Sequence, residues 1–178
     1  MPSSAVPPIT RHKSHVTGRE AAAFTLIELL VVIAIIAILA GLGFGAVGGA
    51  LKTAKKAEVR SMANQIKLAL TSYYSEYGTW PTVATTDSDF LTAMTGGTAS
   101  KNIPNRRGIR FLEVPAKFTN SSGIVTPKGF DKTGQIPFTV VVDSDYNGKI
   151  NLPGQEVSGS VAVYVKEPSP STNYIGTW

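Results

Sequence analysis

The chain has 178 residues, a formal net charge of +5 and no cysteine. The length allows roughly one domain besides a membrane segment, and the missing cysteine excludes disulfides and thiolate metal sites. The charge is too small to indicate a nucleic-acid-binding face, so no nucleic-acid partner is predicted.

An apolar run begins at Phe24 and contains a single charge, Glu28. From Leu29 to Leu51 no residue is charged, which is long enough for a helix to cross a bilayer core of ~30 Å. A carboxylate just inside such a span costs on the order of 2–3 kcal/mol. We therefore expect Glu28 to need a partner.

The sequence around Glu28 resembles the N-terminal segment of the type IV pilin and type II secretion pseudopilin family. That segment has a short basic leader, a small residue at the cleavage site, Phe-Thr-Leu-Ile-Glu and an apolar helix. The resemblance implies a leader at 1–23, which prepilin peptidase removes between Ala23 and Phe24. It also implies methylation of Phe24 and pairing of Glu28 with the amine of a neighbouring subunit. The family usually has Gly where Ala23 stands.

Two other interpretations of this segment remain open. One is an uncleaved signal anchor, in which Glu28 lies near the lipid headgroups. The other is an ordinary secretory signal, which fits less well because its apolar region is only ~7–15 residues long.

Five glycines interrupt the apolar run, and each costs about 1 kcal/mol relative to alanine in a helix. We interpret them as a weak point that unwinds when subunits enter a filament. The alternative is close helix packing, since three of them are spaced four residues apart. The five are Gly41, Gly43, Gly45, Gly48 and Gly49.

A basic cluster follows the run and consists of Lys52, Lys55, Lys56 and Arg60. We interpret it as contacting headgroups during insertion and as solvated or paired between subunits after assembly. The leader offers only Arg11, Lys13 and Arg19, so the positive-inside rule alone does not place the C-terminal domain outside. The resemblance to the family implies that the C-terminal domain lies outside the cytoplasm. Removing those three residues together with Glu20 would lower the net charge from +5 to +3.

Apolar residues then recur every three or four positions, which predicts an amphipathic helix that ends near Gly78. The recurring residues are Val59, Met62, Ile66, Leu70, Tyr73 and Tyr77. The predicted organisation is a leader (1–23), a transmembrane or filament-core half-helix (24–51), an amphipathic half-helix (52–78) and a C-terminal globular β domain (79–178).

The C-terminal part predicts loops, one short helix at Asp87–Met94 and several strands. Strands are predicted at 137–142 and 161–165 because β-branched residues dominate there, and 111–114 is a borderline strand. Asn147-Gly148 predicts a hairpin that pairs 149–152 with 137–142. The end, 174–178, resembles the family's final strand. The fold class is therefore α+β: a pilin fold with a long helix packed on a small antiparallel sheet.

One candidate metal site lies in the predicted hairpin. Asp143, Asp145, Asn147 and Lys149 match the first half of a calcium loop, with Gly148 at its sixth position. The twelfth position is Gly154 instead of an acid. The alternative is a turn in which Asp side chains bind local backbone amides. Calcium is the one cofactor considered, and none is certain.

The residue inventory argues against an enzyme. Both histidines, His12 and His15, belong to the leader, and a mature chain without His or Cys has no serine or cysteine triad and no ordinary zinc site.

The expected function is a structural filament subunit, the major pseudopilin of a type II secretion system; the missing cysteine fits such pseudopilins. The alternative is a major or minor type IV pilin that serves adhesion, motility or DNA uptake. From another class, a monomeric membrane-anchored calcium-binding module remains open.

The expected partners are copies of the chain in a helical filament, a prepilin peptidase/methyltransferase, an inner-membrane assembly platform, minor pilins or pseudopilins, and the membrane. The expected location is the bacterial inner membrane, with one span and the C-terminal domain outside the cytoplasm. A periplasmic pseudopilus or a cell-surface pilus would then form.

Overall fold

The computed structural model describes residues 24–98, 100 and 102–178, and for 42–46 the backbone alone. The predicted leader, 1–23, lies outside the described residues. The chain divides into two units with the boundary between Phe44 and Gly45.

One long helix, α1, runs from Leu26 to Tyr77. In the first unit every residue from Phe24 to Gly41 is exposed. Within the described part of the chain, no helix has the combination of length and apolar character that a membrane span requires. The transmembrane assignment of 24–51 therefore stays a prediction.

In the second unit, α1 carries the predicted amphipathic stripe. Val59, Ile66 and Leu70 have no exposed surface, and Met62 and Tyr73 have almost none. The helix ends as predicted: Gly78 has a φ of +70°, and its N–H donates to the Tyr74 carbonyl at 2.8 Å. A left-handed residue just past the last turn is what glycine allows without steric cost.

The segment after α1 is held by two buried polar side chains. The Thr86 hydroxyl donates to the Ile124 carbonyl at 2.6 Å and accepts from the Phe138 N–H at 3.0 Å. The Asn105 amide donates to the carbonyls of Ala93 and Ile109. Such bonds are needed because an unpaired buried polar group is costly.

The predicted short helix is confirmed as α2, Ser88–Met94. Asp87 caps it by accepting the Phe90 N–H at 2.9 Å. The prediction of a borderline strand at 111–114 was wrong. The N–H groups of Phe111 and Leu112 instead both donate to the Met94 carbonyl at 2.9 Å, so the end of α2 takes the bonds that a neighbouring strand would need.

In the part of the chain that the structure describes, seven short strands form three antiparallel sheets. They are β1 (Thr119–Asn120), β2 (Gly123–Ile124), β3 (Thr139–Val142), β4 (Lys149–Leu152), β5 (Gln155–Ser158), β6 (Val161–Lys166) and β7 (Tyr174–Gly176). The main sheet has the order β3-β6-β7, and β1-β2 and β4-β5 are separate pairs. The predicted strands at 137–142 and 161–165 and the final strand are confirmed as β3, β6 and β7.

The predicted pairing of 149–152 with 137–142 was wrong. β4 pairs with β5, so that Ile150 lies opposite Val157, and β3 pairs with β6. The hairpin turn is Pro153-Gly154, where Gly154 has a φ of +84°. Pro followed by a left-handed Gly is itself a strong turn signal, and it closes β4 onto the next strand instead of the previous one.

The main core forms where the stripe of α1 meets the main sheet and α2, and it includes Phe90, Phe138 and Val163. Ile150, Leu152 and Ala162 form a small second cluster. The observed arrangement is α+β, with a helix packed on small antiparallel sheets, as the sequence predicts.

Two positions of α1 test the stripe directly. Ile66 is fully buried, whereas Leu68 is 67% exposed. Ile66→Ala should lower the free energy of unfolding by about 2–5 kcal/mol because it leaves a cavity. The matched control Leu68→Ala should change it by less than about 0.5 kcal/mol. Urea unfolding of the full chain in non-ionic detergent measures both, and equal losses would contradict the assigned stripe.

Candidate functional site

The first turn of α1 holds Glu28 through Thr25, the residue just before the helix. Glu28 Oε2 accepts the Thr25 N–H at 2.9 Å and the Thr25 hydroxyl at 2.8 Å. The Glu28 N–H donates back to Thr25 Oγ1 at 3.3 Å. This reciprocal arrangement is a capping box. Glu28 thus has a partner within its own chain, which the sequence analysis missed, although Thr-x-x-Glu ahead of an apolar run is the signal for it.

The residues beside this cap are apolar and exposed. Phe24 is 82% and Leu26 83% exposed, and the exposed apolar surface continues to Gly41. A continuous apolar surface of this size on one chain is typical of a region that binds other proteins or a membrane. Ala23, the other side of the predicted cleavage site, lies outside the described residues.

The five predicted weak-point glycines all lie within α1, whose helical backbone is continuous through 41–49. A methyl group added at Gly41, Gly48 or Gly49 would meet no atom within 4 Å. Among the described residues, no contact of the single chain requires glycine at these three positions. Local unwinding of Gly41, Gly43, Gly45, Gly48 and Gly49 in a filament stays a prediction.

The predicted calcium loop, which belongs to the second unit, closes onto Asp143. The two carboxylate oxygens of this buried side chain accept the N–H groups of Asn147 at 3.0 Å and Gly148 at 2.8 Å. Burial raises the pKa of Asp143, but the N–H groups of Gly148, Asn147 and Tyr146 and a side-chain hydrogen bond with Asp145 together outweigh it and hold the pKa below its ordinary value. The loop also needs left-handed backbone at Tyr146, φ +59°, and at Gly148, φ +76°.

Other polar side chains of the loop also form hydrogen bonds or ion pairs. Asn147 Nδ2 donates to Asp145 Oδ2 at 2.7 Å, and Asn147 Oδ1 accepts the Lys149 N–H at 2.7 Å. Glu156, the nearest later acid, pairs with Lys149 Nζ at 2.8 Å. In the part of the chain that the structure describes, no three acidic, His or Cys side chains are grouped to hold a metal. The bonds are those of an Asx-type turn, and calcium binding stays a prediction.

Comparison with known families addresses the N-terminal segment. Residues 18–44 match the sequence model of the protein family described as "Prokaryotic N-terminal methylation motif". The chain carries a type IV pilin-like methylation motif. The match includes Ala23, Phe24, Thr25 and Glu28, and thus the capping box.

Two curated proteins are similar to the chain. One is the Fimbrial protein EcpC of Eikenella corrodens, 43% identical over 58 residues, which are 33% of this chain and 38% of that protein. The other is the Fimbrial protein of Neisseria meningitidis serogroup B (strain ATCC BAA-335 / MC58), 31% identical over 98 residues, which are 55% of this chain and 58% of that protein. The chain thus spans between 38% and 58% of the length of these relatives. No solved structure matches it.

The capping box can be tested with one isosteric change. Thr25→Val keeps the shape but removes the hydroxyl, so the first turn should lose about 1 kcal/mol. The amides of Glu28 and Leu29 should then exchange roughly fivefold faster, since exchange follows the local opening free energy. Hydrogen exchange of the full chain in micelles measures this, and Thr25→Ser should keep the wild-type rate. Equal rates for all three chains would contradict the cap.

The Asp143 turn predicts a dependence on pH. Because its pKa lies below the ordinary 3.8, the ionised carboxylate stabilises the fold at neutral pH, and this contribution is lost as the pH falls through the lowered pKa. Asp143→Asn should therefore melt below wild type at pH 7, and the difference should shrink below about pH 3.8. Thermal unfolding against pH measures this, with exposed Ser144→Ala as control. A difference independent of pH would contradict the assigned role of the carboxylate.

Proposed function

We propose that the chain is a fimbrial subunit: a structural protein made as a membrane-anchored precursor, cut after Ala23 and assembled into a helical filament through 24–51. The observation that carries the proposal is the matched methylation motif at the start of a helix whose first part, up to Gly41, is apolar and exposed. Lipid would cover that surface before assembly, and identical helices would cover it afterwards. The proposed role is structural and includes no catalysis.

Glu28 is the proposed assembly residue. Its Oε2 is occupied by Thr25, whereas Oε1 has no hydrogen-bond donor among the described residues. Oε1 is thus the atom that would receive the Phe24 amine of a neighbouring subunit. Such a pair would neutralise two charges inside an apolar filament core, where either charge alone is costly.

The two fimbrial relatives support a surface fimbria over a periplasmic pseudopilus. A pseudopilus of a type II secretion system remains the second candidate because the chain has no cysteine and because Tyr77–Pro81 resembles the helix-to-loop junction of major pseudopilins. The two differ in where the filament is found, since shearing releases surface fibres and leaves an envelope-bound pseudopilus behind.

Glu28→Ala tests the assembly role. Leaving the incoming amine without its acid costs on the order of 2–3 kcal/mol in an apolar core, so assembled filaments should decrease by more than about tenfold. Immunoblots of sheared and envelope fractions measure this, while removal of the leader should continue. Exposed Glu113→Ala is the matched control and should assemble normally. Wild-type amounts of filament from Glu28→Ala would remove the proposed pairing.

A further inference from the structure

A basic groove opens in the second unit, immediately after the charge-free run. It has a volume of about 390 Å³. One wall is the 48–56 part of α1, and the other walls are the loops at 129–132 and 168–169. Its floor is mainly apolar and its rim is cationic. The apolar residues include Leu51, Phe130 and Pro168, and the rim includes Lys52, Lys55 and Lys132.

The charges of the groove are only partly compensated. Lys56 pairs with Glu167 at 2.9 Å, and this bond together with the Ser171 hydroxyl lowers the pKa of Glu167, although burial opposes it. Glu167 therefore neutralises mainly Lys56, while the more distant charge of Lys52 makes a smaller contribution to the lowered pKa of Glu167. Asp131 accepts the Thr133 N–H at 2.7 Å and the Thr133 hydroxyl at 2.5 Å, so its carboxylate is bound to its own loop.

Three lysines then face the groove against that one carboxylate. Lys55 Nζ donates to the Gly129 carbonyl at 2.9 Å, which fixes its position beside the loop. Lys52 and Lys132 have no hydrogen bond or ion pair to the residues that the structure describes. Lys52 and Lys55 are three residues apart on α1, so they lie on the same face of the helix. The groove therefore presents several N–H donors beside the apolar residues that line it.

We propose that this groove binds the phosphate of an anionic phospholipid, with Lys52, Lys55 and Lys132 around the phosphate and the glycerol and upper acyl chain against Leu51 and Phe130. The lipid is favoured over free phosphate because the floor is apolar and because the cationic rim begins where the charge-free run ends. Basic pockets beside a membrane segment bind anionic headgroups in this way. The lipid as the source rests on the proposed membrane-anchored precursor.

Native mass spectrometry of the full chain in non-ionic detergent tests the site. Phosphatidylglycerol and phosphatidylcholine are titrated separately, and lipid retained per chain is counted. The test variant is Lys52→Gln/Lys55→Gln/Lys132→Gln. The matched control, Arg106→Gln/Lys117→Gln/Lys166→Gln, makes the same change in charge at exposed positions outside the groove. Thermal unfolding checks that each variant is folded, and Lys132→Gln alone replaces the triple variant if that one is not.

Wild type and control should retain phosphatidylglycerol more than about tenfold better than the test variant, since each lysine contributes roughly fivefold to the binding of an anionic headgroup. Phosphatidylcholine should show no such difference. Equal retention of phosphatidylglycerol by test and control variants would overturn the site. Loss of the lipid from wild type in millimolar inorganic phosphate would overturn the lipid as its source and assign free phosphate. The readout involves no filament, so its failure would leave the fimbrial proposal standing.

Discussion

A single helix, Leu26–Tyr77, has two parts whose apolar residues are arranged differently. In its second part the apolar residues form a stripe, and Ile66 and Leu70 are completely covered by the rest of the second unit. In its first part the apolar residues face all directions, and among the described residues none covers 24–41. Exposed apolar surface of this extent is typical of a region that other proteins or a membrane cover, whereas the stripe of the second part is buried within the second unit.

Glu28 shows how a charged residue can be kept in such a helix. In the single chain the carboxylate stabilises the first turn by bonding Thr25, and it uses only one of its two oxygens to do so. The acid therefore has a local role before any neighbour arrives, and a second role is compatible with it. A capping role alone would be met by many polar residues, whereas neutralising an incoming amine requires an acid.

The sequence predicted those parts of the fold that local rules determine. The stripe ending at Tyr77 follows from helical spacing, and the α2 cap follows from Asp87. The predicted strand pairing was wrong because Asn147-Gly148 and Pro153-Gly154 are both good turn signals. Contacts between residues far apart in sequence decide which of the two turns closes the hairpin. The buried hydrogen bonds of Thr86 and Asn105 could not be predicted for the same reason. At the candidate site Glu28 is conspicuous as the single charge of an apolar run, and its bond to Thr25 follows from the Thr-x-x-Glu spacing of a capping box. The basic groove could not be predicted from the sequence, because Lys132 comes close to Lys52 and Lys55 only in the folded chain.

We propose that the chain is cut to expose Phe24 and that its apolar helix then enters a filament. Mass spectrometry of the N-terminal peptide, on protein taken from sheared surface material and from membranes, distinguishes this from an uncleaved anchor. A chain that begins at N-methylated Phe24 is expected in the sheared fibres. An intact leader in every fraction would contradict it and leave an uncleaved membrane anchor.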